Sequence, residues 1–348
     1  MKTEVLTIDS HEHNHDLFEK AAQVIQEGGL VAFPTETVYG LGANALEASA
    51  VKKIYQAKGR PSDNPLILHI ARKEDVYQIA CNVSETAERL MEAFWPGPLT
   101  LIFQKKEVVS AEVAGGLETV GVRFPQNRIA QQFIKHAAVP IAAPSANSSG
   151  KPSPTRASHV MYDLMGKVDI IIDGGSAELG LESTILDVSS EKVILLRPGS
   201  VTKEMIEAVV GIIELDESIS KPIAEDAVPK APGMKYTHYS PLAEITIFEG
   251  DIDRVVAAIN AKIANQTQKV GVLATEQTKH AYPNADVLVV GDRQNPESIA
   301  ANLFKMLRKF DYLGIEQVYS ESFGEEELGM AIMNRLQKAA AYRIRKID

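Results

Sequence analysis

The chain has 348 residues, 45% of them hydrophobic and 24% charged, so it is long enough to form two domains with separate cores. Its 46 acidic residues outnumber its 36 basic residues, and the net charge of -10 argues against a surface that binds nucleic acid on all sides. The single cysteine, Cys81, excludes a disulfide framework and a cysteine-rich metal site. No apolar run approaches a membrane span, and residues 1–12 lack a signal-peptide pattern. We therefore expect a soluble, cytoplasmic protein.

Three histidines alternate near the start of the chain, at His11, His13 and His15. Their spacing invites a metal-binding interpretation. They lie in a polar stretch before any predicted element, however, and no fixed scaffold holds them. We interpret the segment as a solvated lead-in to the first helix.

Residues 30–42 combine a buried strand with a polar loop. The strand, residues 30–33, stops at Pro34, which cannot donate a hydrogen bond to a β-ladder. Thr35, Glu36, Thr37 and Tyr39 follow, and then two glycines that would let backbone approach a ligand closely. A strand that ends in such a loop is a typical site in an α/β protein, although an ordinary turn fits the local pattern equally well.

Apolar periodicity predicts further elements as far as residue 210. Helices are predicted over 48–57, 83–94, 129–137 and 201–210, and strands over 66–70, 99–103, 139–143, 168–173, 184–188 and 193–196. A glycine turn at residues 115–116 leads into a further predicted strand that ends in Arg123. Several cations follow these elements beside glycine or proline: Lys58, Arg60, Arg123 and Arg197. The chain has neither a nucleophile elbow nor a Walker loop.

Cations and small hydroxyl groups at loop tips suit phosphate oxygens and an amino-acid headgroup. An enzyme built this way would act by positioning its substrates and stabilising charge at phosphorus, without a covalent intermediate. The competing interpretation is that each arginine caps a helix or pairs with an acid. This structural interpretation fits a single arginine well, but it is less suited to four cations that all lie beside glycine or proline loops.

Composition shifts after Gly211. Residues 214–235 lack periodicity and contain three prolines, which predicts a linker of about 25 residues that acts as a lid. From residue 243 strands alternate with helices, which predicts a small parallel βα domain without a glycine-rich dinucleotide fingerprint. The predicted strands are 243–248, 270–274, 287–290 and 317–319, and the predicted helices are 252–264, 296–312 and 328–343.

Six motifs in order resemble the signature of the YrdC-type family: Pro34-Thr35-Glu36-Thr37-Val38-Tyr39-Gly40-Leu41-Gly42, Lys58-x-Arg60-Pro61, Thr119-Val120-Gly121-Val122-Arg123-Phe124-Pro125, Ser145-x-Asn147, Glu182-Ser183-Thr184 and Leu196-Arg197-Pro198-Gly199. Residues 232–241 and 328–336 resemble the linker end and C-terminal helix of the family's long form. The resemblance implies an α/β fold with a YrdC-type twisted mixed sheet and flanking helices, plus a smaller Rossmann-like parallel domain. It implies a catalytic domain over 1–211, a linker or lid over 212–241 and a C-terminal domain over 242–348.

The resemblance also implies a nucleotidyltransferase activity. L-Threonine, bicarbonate and ATP would give threonylcarbamoyl-AMP and pyrophosphate, and the product would pass to a transferase complex that modifies adenosine next to the tRNA anticodon. Direct contact with tRNA is expected to be weak or indirect, with no membrane involved. Mg²⁺ would be held mainly by the nucleotide's phosphates rather than by a protein cage.

Family roles carry over to matching positions of this chain. Threonine would be held by Thr35, His69, Arg123 and Ser183, with Arg123 on its carboxylate. ATP would be held by Lys58, Arg60, Asn64, Thr119, Ser145, Asn147, Ser153 and Arg197, with Lys58 and Arg60 as the catalytic cations. His238 and Tyr239 would belong to the lid.

Structural roles remain open for some of these residues. His69 lies in an apolar strand, where a satisfied core histidine is common. Glu36 fits a residue that orients a neighbouring group better than a base, and His238 and Tyr239 also fit packing at a domain junction. Asn334 and Arg335 match a family motif without a derivable role.

Two other functions compete. A double-stranded-RNA-binding module would use a basic cleft, but the chain is acidic overall and lacks aromatic stacking patches. A carbamoyltransferase similar to hydrogenase-maturation proteins would need cysteine-rich zinc motifs, which one cysteine excludes.

Overall fold

The computed structural model describes residues 2–9, 14–221, 229–234 and 239–347. The chain divides into two units. The first comprises Met1–Ser149, Ser153–Glu178 and Glu182–Tyr236, and the second comprises Gly150–Pro152, Leu179–Leu181 and Thr237–Asp348.

The first unit contains strands and helices in frequent alternation. In chain order they are β1 Glu4–Thr7, α1 His15–Gln26, β2 Val31–Phe33, β3 Gly40–Asn44, α2 Ala48–Lys58, β4 Ile67–His69, α3 Val76–Ile79, β5 Ala80–Cys81, α4 Glu85–Phe94, β6 Leu99–Lys105, α5 Ala111–Ala114, β7 Thr119–Arg123, α6 Arg128–Ala137, β8 Ile141–Ala143, α7 Ala157–Leu164, β9 Ile170–Asp173, β10 Thr184–Asp187, β11 Ile194–Arg197, α8 Lys203–Val210 and β12 Glu214–Leu215.

These strands form one mixed sheet, which has twelve strands among the described residues. Its order is β1-β9-β2-β3-β8-β4-β7-β6-β10-β11-β12, with β5 paired to β6. In its centre β4 runs parallel to β7, and β6 runs antiparallel to β7. The register places His69 beside Arg123 and Arg123 beside Thr100. Three polar residues that are far apart in sequence therefore lie on neighbouring strands.

Helices α1 and α6 cover one face of this sheet because each carries apolar residues at helical spacing. Phe18, Ala21, Ala22 and Ile25 of α1 are buried with Phe133 of α6 and with residues of β2, β8 and β9 in one hydrophobic cluster. Burial of such a stripe is what stabilises a helix of ordinary length. This packing fixes α1, and hence the segment that leads into β2.

The glycines that follow Tyr39 correct one interpretation from the sequence. Gly40 and Gly42 belong to β3, which pairs antiparallel with β2, rather than to a ligand loop. A Cβ on Gly40 would lie 3.1 Å from the Phe33 ring, and one on Gly42 would lie 2.7 Å from Ile141. The absence of a side chain at these positions is required by packing within the sheet.

The second unit is a parallel sheet with helices between its strands. Its elements are β13 Glu244–Gly250, α9 Ile252–Ile263, β14 Val270–Thr275, β15 Asp286–Gly291, α10 Pro296–Tyr312, β16 Gln317–Glu321, α11 Leu328–Ala339 and β17 Ile344–Ile347. Among the described residues the sheet has five strands, in the order β15-β14-β16-β13-β17, and every pair is parallel. The mixed sheet and this parallel sheet confirm the predicted fold class.

The C-terminal end differs from the sequence prediction. Helix α11 ends at Ala339, before the predicted residue 343, and the chain continues into β17. Ala341 and Tyr342 have φ of 48° and 59°, which is left-handed backbone that a helix cannot continue through. Neither alanine nor tyrosine favours left-handed backbone, so the sequence does not predict this turn. None of the helices in the described ranges combines the length and apolarity that crossing a membrane requires.

Candidate functional site

A buried ion pair lies at the end of β7. Arg123 Nη2 is 2.7 Å from Glu36 Oε1, and the two side chains are only 5% and 4% exposed. Arg123 also donates from Nη1 to Thr37 Oγ1 at 2.9 Å and from Nε to the Gly97 carbonyl at 3.4 Å. Three of the five guanidinium N–H groups are engaged in this way, and no other hydrogen bond from Arg123 is made within the described ranges. The guanidinium charge of Arg123 is removed from water and held in one orientation by these contacts, which suits recognition of a carboxylate.

Glu36 therefore acts as an orienting group, as its sequence context indicated. Its second oxygen accepts a hydrogen bond from the Asn127 backbone N–H at 3.3 Å, at the N-terminus of α6. Both oxygens thus have donors, and the carboxylate fixes the angle at which Arg123 leaves its strand.

The predicted threonine contact Thr35 is buried and forms a tight local turn. Its hydroxyl donates to the Val38 carbonyl at 2.6 Å and accepts from the backbone N–H groups of Thr37 and Val38 at 3.2 Å. It also lies 2.8 Å from Thr37 Oγ1, the group that accepts from Arg123. Thr35 thus shapes the loop on which Glu36 and Thr37 are presented to Arg123.

His69 occupies the strand position beside Arg123. Burial and the neighbouring Arg123 charge lower the pKa of His69 to about 3, so the ring is neutral at physiological pH. Nδ1 lies 3.2 Å from the Ile67 carbonyl, and the ring packs edge-on against Phe33. Both contacts are those of a core histidine, so the ring adds no positive charge near Arg123.

Ser183 and Arg197 continue the polar row across the sheet. Thr100 Oγ1 is 2.8 Å from Ser183 Oγ, and Arg197 Nη2 donates to the same oxygen at 3.2 Å. Arg197 Nε also donates to the Ser183 carbonyl at 3.0 Å. Because Thr100 pairs with Arg123 in the sheet register, the row Glu36, Arg123, Thr100, Ser183 and Arg197 is continuous, and we call it the Arg123 row.

A second cluster forms where α2 ends. Lys58 is buried, and its Nζ donates to the carbonyls of Ser145 and Asn147. The Ser145 hydroxyl donates to Asn147 Oδ1 at 2.5 Å. The loop that follows β8 is held against β3 by a bridge between Gly40 and Ser145. Three predicted ATP contacts are thereby brought together around one cation.

Arg60 and Asn64 lie in the loop after this cluster. Arg60 donates to the backbone carbonyls of Asn64 at 3.4 Å and of Pro65 at 3.2 Å, which turns its side chain back on its own loop. Asn64 is 1% exposed, and its side-chain oxygen has no hydrogen-bond partner within the described residues. Such a buried acceptor without a donor fits a place that a ligand completes.

Two further predicted ATP contacts lie outside these clusters. Ser153 is buried and donates to Glu182 Oε1. Thr119 is half-buried at the start of β7, at the end of the strand opposite to Arg123. The structure therefore forms one cluster of predicted site residues around Arg123 and a second around Lys58. It does not bring Thr119 to the Arg123 end of β7.

The described part of the linker packs within the first unit. Ala231 and Met234 join a cluster with Ile67, Ile102, Ile185 and Leu196, and Arg197 Nη1 donates to the Pro232 carbonyl at 3.2 Å. The linker backbone is thus bonded to a member of the Arg123 row.

His238, predicted for the lid, lies outside the described residues. Tyr239 is buried in the second unit, where its ring lies 5.1 Å from that of Phe304 and 5.6 Å from the Arg335 guanidinium. Arg335 is fully buried and donates to Asn334 Oδ1 at 2.8 Å, which gives both motif residues a packing role.

The sequence analysis placed Thr37 in the candidate loop without giving it a role, and it missed Thr100 as a member of the site. Both are fully buried polar residues, and Thr100 is flanked by leucines in an apolar strand. A threonine at the buried positions of a strand needs a partner, which is the signal that would have found it. Among the described residues no group of three or more His, Cys, Asp or Glu side chains forms a metal-binding cluster.

Comparison with known families identifies two consecutive domains. Residues 23–199 match the Sua5–YciO–YrdC family, described as telomere recombination. Residues 201–341 match the family described as the threonylcarbamoyl-AMP synthase C-terminal domain. The two matches together span most of the chain.

Characterised relatives are similar over nearly the whole length. The threonylcarbamoyl-AMP synthase of Pyrococcus abyssi is 49% identical over 330 residues, which cover 94% of this chain and 95% of that protein. The threonylcarbamoyl-AMP synthase of Bacillus subtilis is 47% identical, with 95% of each chain covered. The crystal structure of Pyrococcus abyssi Sua5 complexed with L-threonine superposes with a TM-score of 0.92 at 47% identity, covering 99% of each chain.

Proposed function

The chain belongs to the Sua5–YciO–YrdC family and carries the C-terminal domain of threonylcarbamoyl-AMP synthases, and from this premise we propose that it joins L-threonine, bicarbonate and ATP into threonylcarbamoyl-AMP, releasing pyrophosphate. The observation that carries the proposal is the buried guanidinium of Arg123, which Glu36 orients and of which two N–H groups make no hydrogen bond within the described residues.

Threonine binding is assigned to the Arg123 end of the row. The free N–H groups of Arg123 would take the α-carboxylate in a bidentate contact. Neutral His69 and the hydroxyls of Thr35 and Ser183 would surround the rest of the amino acid, because they add polar contacts without a competing charge. A relative of this chain forms a complex with L-threonine, which supports this assignment.

The reaction would proceed through a carbamate. The threonine amine adds to the carbon of bicarbonate, water leaves, and N-carboxythreonine is formed. A carboxylate oxygen of this carbamate then attacks the α-phosphorus of ATP; the new O–P bond forms as the bond from that phosphorus to the pyrophosphate oxygen breaks. The chain would supply positioning and charge rather than a nucleophile.

Nucleotide binding is assigned to the cluster around Lys58. Lys58 is buried and held by two carbonyls, so its charge is fixed at the end of α2, where it can meet phosphate oxygens. Arg60 and Arg197 would rotate from their present carbonyl partners to the leaving pyrophosphate, and Asn64, Ser145 and Asn147 would contact the nucleotide. Thr119 and Ser153 stay predictions of the sequence resemblance.

Mg²⁺ would enter this site bound mainly to the phosphates of the nucleotide. Asn64 Oδ1, a neutral oxygen that accepts no hydrogen bond from the described residues, is a suitable ligand type for it. When bound, the ion would neutralise the charge of the phosphates as pyrophosphate leaves. The protein groups that would act beside it are Lys58 and Arg60.

The linker would protect the labile carbamate from water. The hydrogen bond from Arg197 to Pro232 supports this, since it ties the linker backbone to a residue assigned to the nucleotide. Closure over the site would exclude water and retain the product until a tRNA-modifying transferase complex accepts it.

The experiment that tests the function is pyrophosphate release from ATP by the full chain, with threonine and bicarbonate omitted in turn. We expect release only when all three substrates are present. Release that ignores either omission would contradict the proposal, and RNA binding without release would favour the RNA-binding alternative. An Arg128→Lys variant, at an exposed residue in the first turn of α6, provides a matched control for handling and folding.

A further inference from the structure

Two histidines that are far apart in sequence meet on the surface of the first unit. His15 begins α1 and His136 lies in the last turn of α6, and these helices pack on each other through their apolar faces. The ring of His136 stacks on Phe18 at 5.5 Å, and the centroids of the two imidazoles are 5.0 Å apart. The pair is thus held by a packed helix interface rather than by a loop.

The outer nitrogen of each ring faces a hydrogen-bond acceptor. His15 Nε2 lies 3.1 Å from Glu19 Oε1, and His136 Nδ1 lies 2.7 Å from the Gln132 carbonyl oxygen. Neither a carboxylate nor a carbonyl can donate, so both of these nitrogens carry the hydrogen. The tautomer of each neutral ring is fixed by this requirement.

The inner nitrogens then have no hydrogen to share. His15 Nδ1 and His136 Nε2 are 3.0 Å apart, which is hydrogen-bond distance, yet each neutral ring presents a lone pair there. Two lone pairs at this distance repel each other. The contact becomes favourable when either a shared proton or a metal cation lies between the two nitrogens.

We propose that His15 and His136 bind one divalent transition-metal ion through these two nitrogens, with Zn²⁺ as the fitting species. A tetrahedral zinc with bonds of about 2.0–2.1 Å to nitrogen separates its two nitrogen ligands by about 3.3 Å, close to the distance between the rings. The contacts to Glu19 and to the Gln132 carbonyl are the outer hydrogen bonds that orient histidine ligands at metal sites. Water would fill the remaining coordination positions.

The site would fasten α1 to α6. An ion bound by both helices adds its binding free energy to the folded state only, because the two histidines are 121 positions apart and separate on unfolding. Free Zn²⁺ at a hundredfold excess over its dissociation constant multiplies the folding equilibrium constant by about 100. The ion would therefore stabilise the contact between the two helices and take no part in the reaction assigned to the Arg123 row.

The test is a Zn²⁺ titration of the full, metal-free chain, followed by competition with a chromogenic chelator. We expect one tight ion per chain, and a dissociation constant at least about tenfold higher in His136→Gln and in His15→Gln. Glu19→Gln, which keeps the helix but removes the carboxylate, is expected to weaken binding by about tenfold. Thermal unfolding with and without Zn²⁺ supplies a second readout: the wild type shifts upward and His136→Gln does not.

The neighbouring histidines provide the decisive control. In the doubly substituted His11→Gln, His13→Gln chain the pair is intact, and we expect the wild-type affinity. Full Zn²⁺ binding by His136→Gln, combined with loss in the double variant, would show that the alternating histidines bind alone and would overturn the proposal. Absence of tight Zn²⁺ binding in the wild type would overturn it too and would assign a shared proton to the pair.

Discussion

Each unit contains an arginine–glutamate pair in which the carboxylate is buried, and the two carboxylates have different donors around them. In the first unit Glu36 accepts from Arg123 and from one backbone N–H. In the second unit Glu321, which is fully buried, accepts from Arg293 at 2.5 Å and also from the hydroxyls of Thr275, Thr278 and Tyr282. The carboxylate of the second pair is thus surrounded by donors.

The difference lies in the number of donors around each carboxylate. Glu321 lies at the end of β16, its three hydroxyl partners lie at the end of β14 and in the loop that follows it, and Arg293 follows β15. Burial beside this carboxylate raises the pKa of Tyr282, which keeps the phenol as a donor.

In the first unit one oxygen of Glu36 accepts from Arg123 and the other accepts from the Asn127 backbone N–H, and two of the five guanidinium N–H groups of Arg123 make no hydrogen bond within the described residues. Arg293 Nε also has no hydrogen-bond partner among the described residues, so free donors alone do not distinguish the two pairs. We infer that the second carboxylate serves stability because four donors surround it, whereas the first orients Arg123 within the row that we assign to threonine.

The largest expected effect is on Arg123. Arg123→Lys keeps one positive charge but loses the fork that can bind a carboxylate, so about two charge-assisted hydrogen bonds to threonine are lost at about 1.5 kcal/mol each. We expect the threonine-dependent rate at low threonine to fall by about 100-fold. Arg128→Lys should retain the wild-type rate, and an active Arg123→Lys enzyme with unchanged threonine KM would break the comparison.

The counterpart in the second unit is Glu321→Gln, which should act on stability. Glu321 is fully buried, and its change to glutamine deprives three buried hydroxyl groups and the partly exposed Arg293 of a charged acceptor, which is expected to cost about 3 kcal/mol of unfolding free energy. Urea unfolding measures it. The matched control is Glu249→Gln, since Glu249 forms a pair of 4.0 Å with the exposed Lys346 in the same unit and should cost less than about 0.5 kcal/mol. Equal effects of the two changes would mean that the Glu321 network adds nothing.

The burial of His69 beside Arg123 makes the stability of the first unit depend on pH. Its pKa is lowered to about 3 in the folded chain, so between pH 6.5 and 3 the unfolded chain binds a proton that the folded chain does not. Stability is therefore lost as the pH falls through this window, with a slope of up to about 1.4 kcal/mol per pH unit from this group. Denaturant unfolding of the wild type and of His69→Asn between pH 6.5 and 4 tests this. Parallel pH profiles would contradict the burial of His69 beside Arg123.

The smallest expected effect is on Thr35. Thr35→Val loses the hydroxyl that closes the turn before Val38, which should raise the threonine KM by about fivefold, or about 1 kcal/mol. Thr35→Ser keeps this hydroxyl and should restore the wild-type KM. If the valine variant binds threonine normally, the turn does not set the position of Glu36 and Thr37.

The sequence predicted the parts of the site that follow from local patterns. Strands that stop at proline or at a cation placed Thr35, Arg123 and Arg197 at element ends, where the structure has them. The role of Glu36 as an orienting group also followed from its position. The assignment of ligands to these residues stays a prediction.

Other features depend on contacts between distant segments and were beyond local patterns. Local patterns favour neither a ligand loop nor an ordinary turn for Gly40 and Gly42, because only the folded sheet shows that Phe33 and Ile141 occupy the space of their side chains. The partnership of Thr100 with Ser183 requires the pairing of β6 with β10. The meeting of His15 with His136 likewise depends on the packing of α1 against α6, which periodicity cannot assign.

The most direct measurement of the central claim is a calorimetric titration of the wild-type chain with L-threonine and with L-threonine methyl ester. The ester keeps the amine and hydroxyl but lacks the carboxylate that Arg123 would bind. We predict that the ester binds at least about 100-fold more weakly, in line with the loss of two charge-assisted hydrogen bonds. Equal affinities for the two ligands would contradict the claim that the arginine of the first unit is kept for recognition.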